Sequence, residues 1–319
     1  MTAPERALAH VRALGGTGHT PDLVTAASVT VSFHPDRLLA DGTTVAQRLA
    51  TEGVYRSQFE TRISNGGLTA HPGGDRDTWE HRMFGGAYTA TTGRPIYGAL
   101  NLARHPDGAS PRFGSSHLRL HPAVSQRATF SHGDSVTEPT TVGTIDTFAG
   151  IWAALLAEVA ATGQALGLTA ETPAAWQAKL GAQRTGPGRC LDDYVEAQVH
   201  GGLELAGAVE AVVADPSFRG TPTGELLSHL APNLEYHQGF VLTPDEFPPD
   251  LRTEATPLVA AEIADRFNAT LIDAELVGRA THSAIHDPDS WARFGALPDV
   301  LQHLKQVWHI LALRGHPHP

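Results

Sequence analysis

The chain contains a single cysteine, Cys190, in 319 residues. That excludes an internal disulfide framework and a Cys-rich zinc site. Lysine is almost as scarce: Lys179 and Lys305 are the only two, and arginine supplies the rest of the 23 basic residues. A GC-rich coding sequence accounts for that bias. Positive charge is in deficit overall, since 34 Asp+Glu leave a formal net charge of −11. This argues against an electrostatic nucleic-acid platform, which needs clustered Lys/Arg. No run approaches the roughly 18 apolar residues of a membrane helix. The opening MTAPERALAHVRALGG mixes acids and bases and lacks an apolar core, so it does not read as a signal peptide. The expectation is a soluble protein, cytoplasmic or exported by a leaderless route. Several signatures are also missing: the GxxxxGK[ST] phosphate loop, a GxGxxG after a strand, GxSxG and HExxH. Kinase, Rossmann dehydrogenase, α/β-hydrolase and HExxH metalloprotease readings therefore have no support.

What is present is a globular composition, 41% hydrophobic and 18% charged, with 32 Gly and 22 Pro. Those numbers predict an ordinary core and many turns. Apolar spacing predicts helices over 4–14, 43–50, 144–166, 173–180, 258–267 and 290–313, and one helical turn near Trp79. Alternation predicts strands over 29–33, 54–63, 96–102, 115–120, 128–131, 194–200 and 209–214, with another at 239–242. Asn65-Gly66-Gly67 closes the second of these with turn chemistry. No repeat or low-complexity tract appears. The pattern reads as one α+β domain over 1–319 with a helical insertion at 144–187.

Three segments could carry chemistry. In Tyr55-Arg56-Ser57-Gln58-Phe59, an arginine beside aromatics can grip a diphosphate or carboxylate with its fixed fork of donors; the alternative is an ion pair with Glu60. In Arg127-Ala-Thr-Phe-Ser-His-Gly-Asp-Ser135, hydroxyls before a glycine turn can orient a ribose or phosphate; the alternative is an ordinary turn capped by Asp134. In Asp193-Tyr-Val-Glu-Ala-Gln-Val-His-Gly201, alternation sets Tyr194, Glu196, Gln198 and His200 on one face and Val195, Ala197 and Val199 on the other. A carboxylate and an amide two residues apart can hold a ribose hydroxyl and stabilise an oxocarbenium ion. The alternative here is an edge strand with a solvated face. His117 and His121 share a face if Ser116–His121 stays extended, but Arg119 between them would repel a cation.

The phrases GVYRSQFETRISNGG (53–67), RPIYGALNL to RATFSHGDS (94–135) and DDYVEAQVHGGLEL (192–205) resemble an uncharacterised bacterial domain-of-unknown-function family over nearly the whole chain. The chain also resembles, more distantly, the ADP-ribosyltransferase superfamily of the Arg–Ser–Glu type. Tyr55-Arg56 matches its first motif, Phe130-Ser131 begins its second, and Glu196-Ala197-Gln198 stands in its third. His132-Gly133 replaces Thr-Ser after Ser131, and Glu-x-Gln reverses the usual Gln-x-Glu. The resemblance implies a split two-sheet core with the helical segment inserted, and NAD as substrate. Arg56, Tyr55, Phe130 and Ser131 would bind NAD. Glu196 would stabilise the transition state, Gln198 would orient the acceptor, and His200 would sit at the rim. Transfer to an unidentified acceptor follows, in a bacterial toxin or effector that would carry an immunity partner. No metal is expected on that reading. The alternatives are a metal-dependent hydrolase built on His117 and His121, and a non-catalytic binding protein. The transferase requires Arg56, Ser131 and Glu196 to converge on one cleft; the hydrolase requires the two histidines to converge.

Overall fold

The computed structural model describes residues 1–62 and 68–319. The expected turn at Asn65–Gly67 lies outside them. Twelve α-helical segments occur among the described residues. They are α1 (Ala3–Leu14), α2 (Asp22–Thr25), α3 (Val45–Glu52), α4 (Gln58–Thr61), α5 (Asp75–Met83), α6 (Ala149–Thr162), α7 (Pro173–Leu180), α8 (Leu205–Ala208), α9 (Pro222–Leu227), α10 (Ala255–Phe267), α11 (Ala274–His286) and α12 (Leu297–Arg314). The strands are β1 (Val29–Phe33), β2 (Ile96–Leu100), β3 (Ser116–Leu120), β4 (Ala128–His132), β5 (Val142–Thr144), β6 (Gln164–Ala165), β7 (Leu168–Thr169), β8 (Val195–Val199), β9 (Val209–Ala214) and β10 (Leu234–Tyr236).

Eight strands form one mixed sheet in the order β10-β9-β3-β1-β2-β8-β4-β5, and β6 and β7 form a small hairpin. The fold is thus mixed α+β, as expected. The two separate sheets implied by the resemblance are not seen among the described residues. The sheet is instead parted along one line. β1 pairs with β2 only through Val29↔Leu100 and Thr30↔Ala99, whereas β1 and β3 pair at four positions. Past Thr30 and Ala99 the two strands diverge, and a cleft enters the sheet between them.

Register gives the sheet two chemically different faces, because residues paired across antiparallel strands point the same way. Val31↔Leu118, Ile96↔Val199 and Phe130↔Ala197 set an apolar face. Helix α6 covers it with Phe148, Ile151, Trp152, Leu155 and Val159, a helical stripe that is buried throughout. Each such side chain contributes roughly 1.5–3 kcal/mol by leaving water. Ser32↔His117, Tyr97↔Gln198, Thr129↔Gln198 and Ser131↔Glu196 set the other, polar face. That face is buried as well, under α5 and the C-terminal helices. A second core built from α10, α11 and α12 closes the molecule on that side, around Trp291, Trp308 and Phe240.

The strand expected over 54–63 is a correction. Val54 bridges Glu204, and then the chain turns into α4. Ser57 and Glu60 form a capping box: the Glu60 carboxylate accepts from Ser57 N at 3.1 Å and from Ser57 Oγ at 2.8 Å. A Ser-x-x-Glu helix start had mimicked strand alternation. Residues 239–242 form only single backbone bridges, from Val241 to His316 and from Leu242 to Ile272. The helix expected over 290–313 breaks at Gly295 into a 3₁₀ turn and α12. Near Trp79 the single turn is a full nine-residue helix, α5.

Gly114 lets the cleft wall form. It packs directly on the backbone of Phe33, where a Cβ would overlap the Phe33 N and carbonyl carbon. Gly114→Ala must therefore push β1 away, and overpacking of this kind costs about 1–3 kcal/mol or more. Thermal unfolding of the variant should show a midpoint lower by several degrees; an unchanged midpoint would mean that the wall yields.

Candidate functional site

The cleft encloses about 110 Å³ of accessible volume and opens to solvent at its mouth. One wall is Ser32 and Phe33 of β1 with His34 and Arg37 beyond it; another is Tyr55, Arg56, Ser57 and Gln58 entering α4. Tyr97 of β2, Arg76 of α5, and Asp134, Tyr194 and Glu196 complete the lining. Four buried polar atoms on these walls have no hydrogen-bond partner: Ser32 Oγ, Gln58 Oε1, Asp134 Oδ2 and the Tyr194 hydroxyl. Tyr194 stands near Asp134, yet the two make no well-formed hydrogen bond; burial first, then Glu196 and Asp134, pushes its phenol up. Of these, Asp134 also has Arg112 at 3.8 Å, and Ser32 Oγ and Gln58 Oε1 are left as the polar atoms that a ligand could satisfy.

Glu196 is the pivot. It is 5% exposed, and its Oε2 accepts from Ser135 Oγ at 3.0 Å and Ser135 N at 3.3 Å. Its Oε1 accepts from Gln198 Nε2 at 3.0 Å. Behind Gln198 the donors run in one direction. Thr129 Oγ1 donates to Gln198 Oε1 at 2.7 Å. That hydroxyl proton being spent, His200 Nε2 must donate to Thr129 Oγ1, at 3.0 Å. His200 Nδ1 is then left to accept from the Tyr88 hydroxyl at 2.7 Å. The network logic sets this tautomer, and burial, with Arg127 nearby, keeps the ring neutral by lowering its pKa to about 3. Every proton in the chain points toward the Glu196 carboxylate.

On the other side, Arg76 Nη1 donates to Ser135 Oγ at 2.6 Å, and its guanidinium lies 4.2 Å from the Tyr97 ring centroid. Burial lifts the Glu196 carboxyl to about 7; Arg76 opposes the rise, and Asp134 adds to it. A second buried ion pair sits behind Tyr97. Glu80 accepts from Arg94 at 2.8 Å and from the Tyr97 hydroxyl at 2.9 Å, and Arg94 also reaches Asp77 at 2.6 Å. Desolvation of both partners makes such pairs costly unless fully bonded, and this one is.

The residues singled out in the sequence divide into two groups. Arg56, Tyr55 and Glu196 line the same cleft. Arg56 lies between Glu52 and Glu60, with Nε to Glu52 at 2.7 Å and Nη1 to Glu60 at 3.2 Å; the pairing with Glu60 is present, at a helix start rather than on a sheet. Tyr55 meets Phe33 edge to face, with centroids 6.2 Å apart, and burial raises its phenol to about 12. Ser131 stands opposite Glu196 on the same face but is fully buried and bonds Gly133 O at 3.1 Å. Gln198 is buried behind Glu196 as its hydrogen-bond donor. Phe130 points to the apolar face, against Phe148 at 5.6 Å. His200 is buried within the donor chain instead of standing at a rim. The strand that carries these groups lies inside the sheet, between β2 and β4, not at an edge.

His117 is buried and held neutral, its pKa lowered by burial to about 3. His121 lies beyond the end of β3, exposed, where it begins a 3₁₀ turn. No group of three or more His, Cys, Asp or Glu among the described residues could hold a metal ion. Arg76, Glu80 and Tyr97 went unrecognised in the sequence, and Thr129 and Ser135 lay within the Arg127–Ser135 segment without being given roles of their own. One signal existed: Arg76, Trp79, Glu80 and Met83 fall at the buried spacing of an α-helix, so a charged pair occupies core positions.

A buried carboxyl with a raised pKa, in the lining of a cleft that also carries Arg37, Arg48, Arg56 and Arg76, marks this as a candidate ligand site. The family model described as "Protein of unknown function (DUF3626)" matches residues 28–313, and the chain belongs to that family. No curated protein matches it. No helix among the described residues is long and apolar enough to cross a membrane.

Arg76 holds the Glu196 carboxyl down against its burial. Arg76→Met should move that carboxyl further above its present value, as loss of a neighbouring cation does. Carboxyl ¹³C chemical shifts followed against pH measure it directly. An unmoved titration would show that Ser135 and Gln198 alone hold the carboxylate.

Proposed function

We propose that the protein is an NAD-dependent ADP-ribosyltransferase with Glu196 at its reacting centre. The observation that supports this best is the meeting of Arg56 and Glu196, from motifs far apart in the chain, on one cleft. The lining fits the ligand class: aromatic rings of Tyr55, Tyr97 and Tyr194, unpartnered hydroxyl and amide atoms, and guanidinium groups. The divergence of β1 from β2 opens the sheet at the cleft, which suits a split core of the kind the superfamily resemblance implies. Ser135, rather than Ser131, is the hydroxyl that bonds the carboxylate.

On this reading the bond between ribose C1′ and the nicotinamide nitrogen breaks, and its electron pair leaves with neutral nicotinamide. Positive charge develops on the ribose ring. The Glu196 carboxylate, fixed by Ser135 and Gln198, faces that charge without having to reorganise, which is where preorganised electrostatics act most strongly. The acceptor's nucleophile then bonds to C1′ and releases its proton. Gln198 acts through Glu196, and Ser131 supports the strand beside it. Arg56 keeps Nη2 for the ligand's phosphate beyond its bonds to Glu52 and Glu60. An effector or toxin role, with a protein or small-molecule acceptor and an immunity partner, belongs to the same proposal.

Nicotinamide release from NAD tests it. Glu196→Gln should lower kcat by about a hundredfold or more while sparing much of the NAD affinity, because the carboxylate acts on the transition state. The variant's amide must turn a donor toward either Ser135 or Gln198, so it loses about 1–2 kcal/mol of stability but folds. Wild-type kcat should fall as pH drops below about 7, where Glu196 takes up its proton. Stability carries the opposite sign. A carboxyl raised from 4.5 to about 7 holds a proton in the folded state that the unfolded chain has released. Its contribution is therefore lost as pH rises from 4.5 to 7. The wild-type minus Glu196→Gln difference in stability should decline over that window. No nicotinamide release and no NAD binding would overturn the proposal.

A further inference from the structure

Two walls of the cleft each carry a polar atom that the protein itself leaves unpaired. Ser32 is 7% exposed and its Oγ makes no hydrogen bond; Gln58 Oε1, at the start of α4, is likewise buried and unpartnered. Both residues line the cleft. Strand register puts Ser32 on the same face as Glu196. Thr30 pairs with Ala99, and Ala99 with Glu196, so those three point one way. Ser32, two residues beyond Thr30, projects from that face where β1 has already left β2. Glu196 stands two strands away, about 10 Å across the sheet. The wall of Gln58 meets the wall of Ser32 where the Tyr55 ring stands edge to face on Phe33.

A buried polar atom without a partner is costly, and two of them in one cavity describe what that cavity is built to hold. Gln58 Oε1 only accepts, whereas the Ser32 hydroxyl can donate. The matching ligand carries a donor and an acceptor side by side. A vicinal diol and a primary carboxamide both do so. The surroundings decide between them, because Leu39, Val45, Leu49, Val54 and Ile96 line the same space as Phe33. A sugar would bury its further hydroxyls unpaired against those side chains. A planar aromatic amide confines its polar atoms to one edge. Size agrees: the 110 Å³ enclosed, at roughly 10–15 Å³ for each water-sized group, admits one substituted ring and leaves the rest of a larger ligand at the mouth.

We propose that Ser32 and Gln58 recognise the carboxamide of a planar ring held in the cleft. The Ser32 hydroxyl donates to the amide oxygen, and Gln58 Oε1 accepts from the amide nitrogen. The inference deepens the transferase reading and rests on it for the identity of the ring, nicotinamide, which would lie between this pair and Glu196. A carboxylate in place of the amide offers acceptors alone. Gln58 Oε1 would then face a negative oxygen, so the pair selects the amide against the acid.

NMR titration of the full-length protein with nicotinamide and with nicotinate tests this. Nicotinamide should bind about tenfold or more tighter than nicotinate, since a site that hydrogen-bonds its ligand rejects the analogue that leaves its polar atoms unpaired. Gln58→Met should abolish the preference and weaken nicotinamide by about tenfold, and Ser32→Ala should weaken it severalfold. The unliganded unfolding midpoint of Ser32→Ala should stay level or rise, because an unbonded buried hydroxyl is removed. A serine kept for the fold would instead lose stability and leave affinity as it was. With NAD, each variant should raise KM by a similar factor. No binding of nicotinamide, equal binding of amide and acid, or wild-type affinity in both variants overturns the pair. An amide preference that disappears in Gln58→Met, while NAD neither binds nor turns over, would support the pair and remove NAD from the function. NAD turnover with unchanged KM in both variants would keep the transferase and overturn the pair.

Discussion

Burial of the Glu196 carboxyl governs the arrangement of this molecule. A carboxylate 5% exposed inside a sheet would be expelled or neutralised unless every neighbour served it. Ser135 gives it two donors, Gln198 a third, and Arg76 a compensating charge through Ser135. Gln198 can serve only because Thr129, His200 and Tyr88 are each oriented one way behind it. Such a chain is held by its weakest partner, since one unsatisfied member costs more than an apolar replacement would. The polar side of β8 is thereby committed to this group, and the apolar face under α6 carries the ordinary hydrophobic stabilisation.

Much of this was legible in the amino-acid sequence, for identifiable reasons. Alternation marked β1, β3, β4, β8 and β9, and it put Tyr194, Glu196, Gln198 and His200 on one face. Period-2 patterns record which side a residue faces, but not what covers that side. The cover is α5, more than a hundred residues earlier, whose Arg76 and Glu80 look like surface charges until their helical spacing with Trp79 and Met83 is noticed. The segment at 54–63 misled because a Ser57-x-x-Glu60 capping box alternates polar and apolar side chains as a strand does. Arg56 was nonetheless assigned to the cleft that it lines. Helix α11 went unseen: Gly278, Thr281, His282 and Ser283 lower its intrinsic propensity, and its packing in the second core supplies what propensity does not. The docking of α12, through the Trp308 indole that donates to Pro111 O, had no sequence signal at all.

Charged groups stand among largely apolar walls in the cleft, Asp134 and Glu196 together in its lining. Around Glu196, the surplus is of hydrogen-bond donors aimed at one carboxylate, in a setting that raises its pKa to about 7. Beside the cleft, where Trp308 of α12 meets His34, burial lowers the Lys305 ammonium and holds His34 and His309 neutral, at about 3 and about 2. Asp134 belongs to both regions: it adds to the rise at Glu196 and opposes the fall at Lys305. Asp134 therefore couples the two groups: neutralising it would ease the rise at Glu196 and deepen the fall at Lys305, so the titration of the buried carboxyl depends on a residue that no pairing along its own strand predicts.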